Sequence, residues 1–169
     1  MNRAAVVTVS DSTHSGTRQD VSGPSIKTRL EQLGWQVDDV RVVPDELAQL
    51  APLLVEIADR AQVGVIFTTG GTGLGPRDRT PEATRSVIEY EVPGLSECMR
   101  AEGRKKTPAA ILSRGISGVR GTTLIVNLPG SPKGAIESLD AIVEVVPHAI
   151  RVLRGHTDHA DSPKRWTSR

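Results

Sequence analysis

The segment from Val63 to Asp78 restricts the possible folds of this chain more than any other. A β-branched apolar run, Val63-Gly64-Val65-Ile66-Phe67, leads straight into Thr68-Thr69-Gly70-Gly71-Thr72-Gly73-Leu74-Gly75-Pro76-Arg77-Asp78. A short run with no polar alternation suits a strand covered on both faces, as in a parallel sheet. Four glycines in six residues then remove side chains from the turn at its carboxyl end. Bare backbone there can lie close to a phosphate, and its N–H groups can converge on negative charge. Thr80-Pro81-Glu82 reads as a helix start, with Thr80 as N-cap and Pro81 in the first turn. The expected unit is strand, anion-binding turn and helix, with the Asp78 carboxylate beside the turn.

The same alternation runs along the chain. Ala4–Val9 reads as a buried strand, and Ser10–Gly23 as a polar loop without periodicity. Pro24 opens a helix that stops at Gly34, and Trp35–Val43 alternates like a half-exposed strand. Leu47, Leu50, Leu54, Ile57 and Ala58 give residues 45–61 the spacing of an amphipathic helix. Residues 93–102 suggest a short helix and 103–107 a basic loop, while 111–118 have no clear period. Thr122–Leu128 is a β-branched strand, followed by Pro129-Gly130-Ser131-Pro132-Lys133-Gly134, a second turn with a Ser cap and a Pro at a helix start. One long helical segment follows, with a break or kink near Pro147, and ends by Gly155.

Strands alternating with helices imply a three-layer α/β/α fold, doubly wound on a mostly parallel sheet. One domain is expected over residues 1–155, with a polar, flexible tail at 156–169. Phe, Tyr and Trp occur only at Trp35, Phe67, Tyr90 and Trp166, so Val, Ile, Leu and Ala must build the core. A net charge of +1 gives no reason to expect nucleic acid or membrane surfaces as partners. The lone Cys98 rules out an internal disulfide and fits a reducing compartment. No apolar stretch approaches the roughly 20 residues of a membrane span, and no signal peptide is evident; a cytoplasmic protein is expected. Ligands of doubly wound sheets sit at the carboxyl ends of strands where the strand order reverses. Ser10–Gly23, Pro44-Asp45-Glu46, Thr68–Asp78 and Asn127–Lys133 should therefore meet.

Seven ordered motifs resemble the molybdopterin adenylyltransferase family, MogA/MoaB. They are Thr8-Val9-Ser10-Asp11-Ser12, Asp20-Val21-Ser22-Gly23-Pro24, Val43-Pro44-Asp45-Glu46, Thr68–Thr84, Pro93-Gly94-Leu95-Ser96-Glu97 with Arg100, Leu112-Ser113-Arg114 and Asn127–Gly134. The resemblance covers residues 4 to about 155. It implies a MogA/MoaB-like fold and Mg²⁺-dependent transfer of AMP from ATP to the terminal phosphate of molybdopterin, with release of pyrophosphate. It also implies a homotrimer and a downstream molybdenum-insertion enzyme. Two alternatives stand beside it: a molybdopterin-binding paralogue without transferase activity, and a nucleotide or pyrophosphate hydrolase of the related competence-damage group.

The family's essential acidic pair falls on Asp45 and Asp78, which are expected to ligate magnesium and position substrate. The phosphate nucleophile is ionised at neutral pH, so alignment and charge screening matter more than a base. Asp45 could instead be only a helix N-cap, and Asp78 only an ion-pair partner of Arg77 or Arg79. Ser10, Asp11, Ser12, Asp20 and Gly23 are expected on the nucleotide side, with Asp20 a secondary metal or ribose contact. Thr69, Gly70, Gly71, Thr72 and Gly73 form the phosphate turn, which is neither a Walker A loop nor a dinucleotide fingerprint. Ser113 and Arg114 resemble pterin-phosphate or dithiolene contacts. Pro129, Gly130, Ser131 and Lys133 offer backbone, hydroxyl and charge at a helix start. For Lys133, as for His14, His148 and Cys98, a plain structural or solvated role is the competing reading. His156 and His159 beside Asp158 and Asp161 read as a solvated tail cluster.

Overall fold

The uniformly apolar runs become strands because both of their faces are covered. The computed structural model describes residues 2–156. Its strands are β1 (Arg3–Val9), β2 (Gln36–Val43), β3 (Val65–Thr69), β4 (Tyr90–Glu91), β5 (Ser117–Arg120) and β6 (Thr123–Leu128). They form one sheet in the order β2-β1-β3-β6-β5-β4. The pairs β1–β2, β1–β3 and β3–β6 are parallel, while β5 runs antiparallel to β6 and β4 antiparallel to β5. Around the sheet lie α1 (Asp11–His14), α2 (Ser22–Gln32), α3 (Leu47–Asp59), α4 (Thr80–Arg85), α5 (Pro93–Arg104), α6 (Pro132–Ile142) and α7 (Val146–Leu153), with a 3-10 turn at Pro108–Leu112.

Side-chain alternation sorts the core into two layers. Ala4 and Val6 of β1, Val65 and Phe67 of β3, and Leu124, Val126 and Leu128 of β6 pack against α2, α5, α6 and α7. Ala5, Val7, Ile66 and Ile125 point the other way, onto Leu50, Leu54 and Ile57 of α3 and Ala83 of α4. Phe67, the single phenylalanine, is fully buried in the larger layer. β2 lies on a sheet edge and alternates in exposure; Asp38 and Asp39 there pair with Arg3 and Arg41. Charges on an edge strand discourage pairing with a second chain.

Several local expectations shift. The loop after β1 contains α1, a single helical turn too short to show periodicity. Helix α2 begins at Ser22 rather than at Pro24, and α3 begins at Leu47, so Asp45 is not its cap. Thr80 is the first residue of α4 rather than its N-cap; its hydroxyl donates to Gly70 O at 2.8 Å instead. The segment after Pro132 is two helices, parted at residues 143–145, with Pro147 in the first turn of the second. Strands β4 and β5 have no counterpart in the sequence reading. Of the tail assigned to residues 156–169, only His156 lies inside the described residues; His159, Asp158 and Asp161 lie outside them.

Candidate functional site

From β1 the chain crosses to β2 on one side, then returns to place β3 on the other. The strand order therefore reverses between β1 and β3, where loops leaving the carboxyl ends of two strands part and open a crevice. The loops after β1, β3 and β6 touch there. Gly70 has φ +100°, and a Cβ on it would lie 2.3 Å from Val9 O. A Cβ on Gly130 would come within 3.2 Å of Gly70 Cα. Thr69 Oγ1 donates to Pro129 O at 2.6 Å, and Ser22 Oγ to Gly130 O at 2.7 Å. Glycine is required at residue 70 by both the positive φ and the neighbouring backbone.

The glycine turn is fixed through its carbonyls. Gly70 O accepts from the Thr80 hydroxyl and Gly71 O from Thr80 N at 3.1 Å. Thr72 O accepts from Arg114 N at 2.8 Å, and Gly73 O from Arg114 Nε at 2.7 Å. Four consecutive carbonyl oxygens are thus occupied by internal donors.

Two carboxylates flank this turn. Asp45 Oδ1 would lie 3.0 Å from a Cβ on Gly71, and Asp78 Oδ2 would lie 2.9 and 2.8 Å from Cβ atoms on Gly73 and Gly75. Asp78 Oδ2 accepts from Gly75 N at 2.8 Å. Asp45 and Asp11 are bound reciprocally: Asp11 N donates to Asp45 Oδ2 at 2.9 Å, and Asp45 N to Asp11 Oδ1 at 3.0 Å. Arg77 then forks onto both Asp11 oxygens, one at 3.0 Å. Burial pushes the Asp45 carboxyl above its ordinary value; the Asp11 N–H opposes this, while the negative charges of Asp11 and Asp78 add to it. Arg77 holds the Asp11 carboxyl below its ordinary value.

That environment fits a hard divalent cation. Asp45 and Asp78 supply oxygen donors, and a cation between them would relieve the like-charge strain on Asp45. Magnesium commonly takes one or two carboxylates and fills its octahedron with water and phosphate oxygens. Among the described residues no group of three or more His, Cys, Asp or Glu side chains is placed to hold a metal. A cation here would thus need oxygens from a phosphate-bearing substrate.

Two cavities adjoin at the start of α6. A polar one of about 400 Å³ is lined by Ser10, Asp20, Asp45, Thr69, Gly70, Gly71, Asp78, Gly130 and Ser131. A largely apolar one of about 210 Å³ is lined by Met99, Ala109, Ala110, Ser113, Gly115, Pro129 and, again, Ser131. Ser131 also caps α6 as expected, accepting from Gly134 N at 3.2 Å.

Most of the remaining site candidates lie outside both linings. Asp11, Ser12, Gly23, Thr72, Gly73, Arg114 and Lys133 line neither cavity. Asp20 faces the polar cavity but has internal partners, accepting from Thr8 Oγ1 at 2.8 Å and Gly23 N at 3.0 Å. A Cβ on Gly23 would meet both Thr8 Oγ1 and Asp20 Oδ2, which explains the glycine structurally. Arg114 is committed to the glycine turn and to Glu82. The sequence reading missed Thr8, Thr13, Arg18 and Gln19 on the polar cavity, and Ser96, Arg100, Glu137 and Ser138 on the other. Arg100 and Ser96 already stand in a quoted motif; the α6 residues carry no signal beyond helical spacing.

Comparison with known proteins decides the family. The family described as "probable molybdopterin binding domain" matches residues 5–148. The chain belongs to this molybdopterin-binding family. A MoaB molybdopterin biosynthesis enzyme from Thermus thermophilus superposes with a TM-score of 0.86 at 52% identity, over 92% of this chain and 98% of that one. The molybdopterin adenylyltransferase of Helicobacter pylori strain J99 is 37% identical over 153 residues, covering 89% of this chain and 87% of its own. The Drosophila melanogaster molybdenum cofactor synthesis protein cinnamon is 41% identical over 149 residues; there the chain spans 88% of itself but only 25% of the longer relative. The α/β fold expected from the motifs is thus the fold of the MogA/MoaB structures.

Proposed function

We propose that this chain transfers AMP from ATP to the terminal phosphate of molybdopterin, releasing pyrophosphate, with Asp45 and Asp78 holding a magnesium ion. The family supplies the substrate class, and the relative from Helicobacter pylori bears the name of that activity. The observation that carries the reading is the placement of Asp45, Asp78 and the glycine turn on one polar cavity that shares Ser131 with an apolar one. The polar cavity suits phosphates, and the apolar one, walled by Met99, Ala109, Ala110 and Pro129, suits a flat heterocycle.

Bound magnesium would screen charge between the two phosphates and polarise the α-phosphoryl group. The chain's own residues do the rest. Asp45 and Asp78 fix where positive charge sits, and the Asp11 N–H holds the Asp45 carboxylate in place. The glycine turn and the Ser131 region align the phosphates at a helix start. No general base is needed, because the attacking phosphate is already an oxyanion. A homotrimer and a molybdenum-insertion enzyme as recipient of the product belong to the same reading. Among the described residues no helix is long and apolar enough to cross a membrane.

The test is incubation with molybdopterin, ATP and Mg²⁺. Pyrophosphate should appear together with adenylylated pterin, and Asp78→Ala should abolish both. A protein that binds the pterin tightly yet releases no pyrophosphate would reject the transferase reading.

A further inference from the structure

We infer that Arg114 is a positioning residue for Asp78, acting through the backbone of the glycine turn and not through substrate. The side chain reaches across 41 residues to put Nε on Gly73 O at 2.7 Å and Nη2 on Asp78 O at 2.6 Å. Its own N–H closes on Thr72 O at 2.8 Å. One residue therefore grips both ends of the Gly73–Asp78 turn. Inside that turn, Asp78 N donates to Gly75 O at 3.0 Å while Gly75 N donates to the Asp78 carboxylate. The carboxylate lies against a turn whose two ends are set by a single planar fork.

Glu82 completes the device. Its Oε1 accepts from Arg114 Nη1, and this contact holds the Glu82 carboxyl below its ordinary value. A guanidinium presents donors in a rigid plane and can satisfy two carbonyls and a carboxylate together. A lysine ammonium carries the charge but cannot span Gly73 O and Asp78 O in the same way. A basic residue in a motif near a phosphate site would ordinarily be assigned to the phosphate. Here its contacts run to the turn, and it lines neither cavity.

The inference rests on the proposed transferase reading for its kinetic consequence, but its structural consequence is independent of it. In the ligand-free protein, Arg114→Lys and Arg114→Ala should speed amide exchange at Gly75 and Asp78 at least about tenfold. Exchange in β3 should be unchanged. In the transferase assay, kcat should fall about 100-fold, since displacement of a reacting group by about 1 Å costs that much. The Mg²⁺ concentration for half-activation should rise about tenfold, with KM for ATP and for molybdopterin within about threefold of the parent. Unchanged exchange at Gly75 and Asp78 would overturn the inference, as would a selective rise in KM for one substrate with kcat intact. Faster exchange in a protein whose parent never transfers AMP would leave the brace standing and remove the transferase reading. Arg114→Lys keeps the charge and serves if Arg114→Ala does not fold.

Discussion

Replacing Gly70 with alanine probes whether the three strand-end loops are truly locked together. Gly70 has φ +100°, where an alanine is strained by about 1–3 kcal/mol. Its new Cβ would lie 2.3 Å from Val9 O and 3.3 Å from Val9 C. Those atoms are backbone at the end of a central strand, so the overlap cannot be relieved by a rotamer change and adds about 1–3 kcal/mol. The expected loss is about 4 kcal/mol, or roughly 8–16 °C in melting temperature for a domain of this size. Two other glycines calibrate the number. Gly16 has φ +76° with nothing within 4 Å of its Cβ position, so Gly16→Ala reports strain alone. Gly94 lies in α5 with ordinary φ and open space, and alanine there should stabilise by about 0.5–1 kcal/mol. Equilibrium denaturation of the three variants beside the parent gives the overlap as the difference between Gly70→Ala and Gly16→Ala. A Gly70→Ala variant no less stable than Gly16→Ala would refute the tight approach of the β1 and β3 loops, and with it the shape assigned to the polar cavity.

Asp45→Asn should reduce AMP transfer at least about 100-fold without unfolding the protein, because the amide oxygen can still accept from Asp11 N. Since the folded-state carboxyl titrates above its ordinary value of 3.8, the Asp45 contribution to stability should be present below that ordinary value and lost as pH rises through the raised one. In thermal melts from acid to neutral pH, the parent's stability relative to Asp45→Asn should fall across that window. In Arg77→Gln, the Asp11 carboxyl should move up toward 3.8 in an NMR titration. The parent's stability advantage over that variant should be present at neutral pH and vanish as pH falls below the depressed Asp11 value. Ser131→Ala should cost about 1 kcal/mol by uncapping α6, whereas Ser131→Gly should cost only a few tenths in the same urea titration.

The parts of the fold legible in the sequence are those where one local signal suffices. β1, β3 and β6 are readable because runs such as Val65-Ile66-Phe67 are buried on both faces. The Ser131-Pro132 helix start is readable because capping is a property of adjacent residues. Strands β4 and β5 are not, since Tyr90–Glu91 is two residues long and Gly118 offers no side chain to pattern. A Cβ on Gly118 would strike Ile88 and Tyr90 O, a constraint visible only in three dimensions. The helix break is signalled by Pro147, but its position at Val143-Glu144-Val145 is not, because the apolar spacing there continues the helix.

At the site, the family motifs bring Asp45 and Asp78 to one cavity by residue number. What they do not convey is direction. Asp11 and Arg114 read as substrate contacts because charge in a motif beside a phosphate turn invites that reading. Their partners are 34 and 41 residues away in the chain, and only the folded geometry shows that they hold other protein groups.

β6 is last among the six strands to leave the ribosome, yet it occupies an interior position, bonded to β3 on one side and β5 on the other. Until it inserts, no strand pairing joins the first three strands to the β4–β5 ribbon, and the Pro129–Ser131 wall does not exist. Newly made chains should therefore remain protease-sensitive and ligand-incompetent through most of synthesis, then mature in one late cooperative event. Capture of ligand by nascent chains would serve as a clock for that insertion.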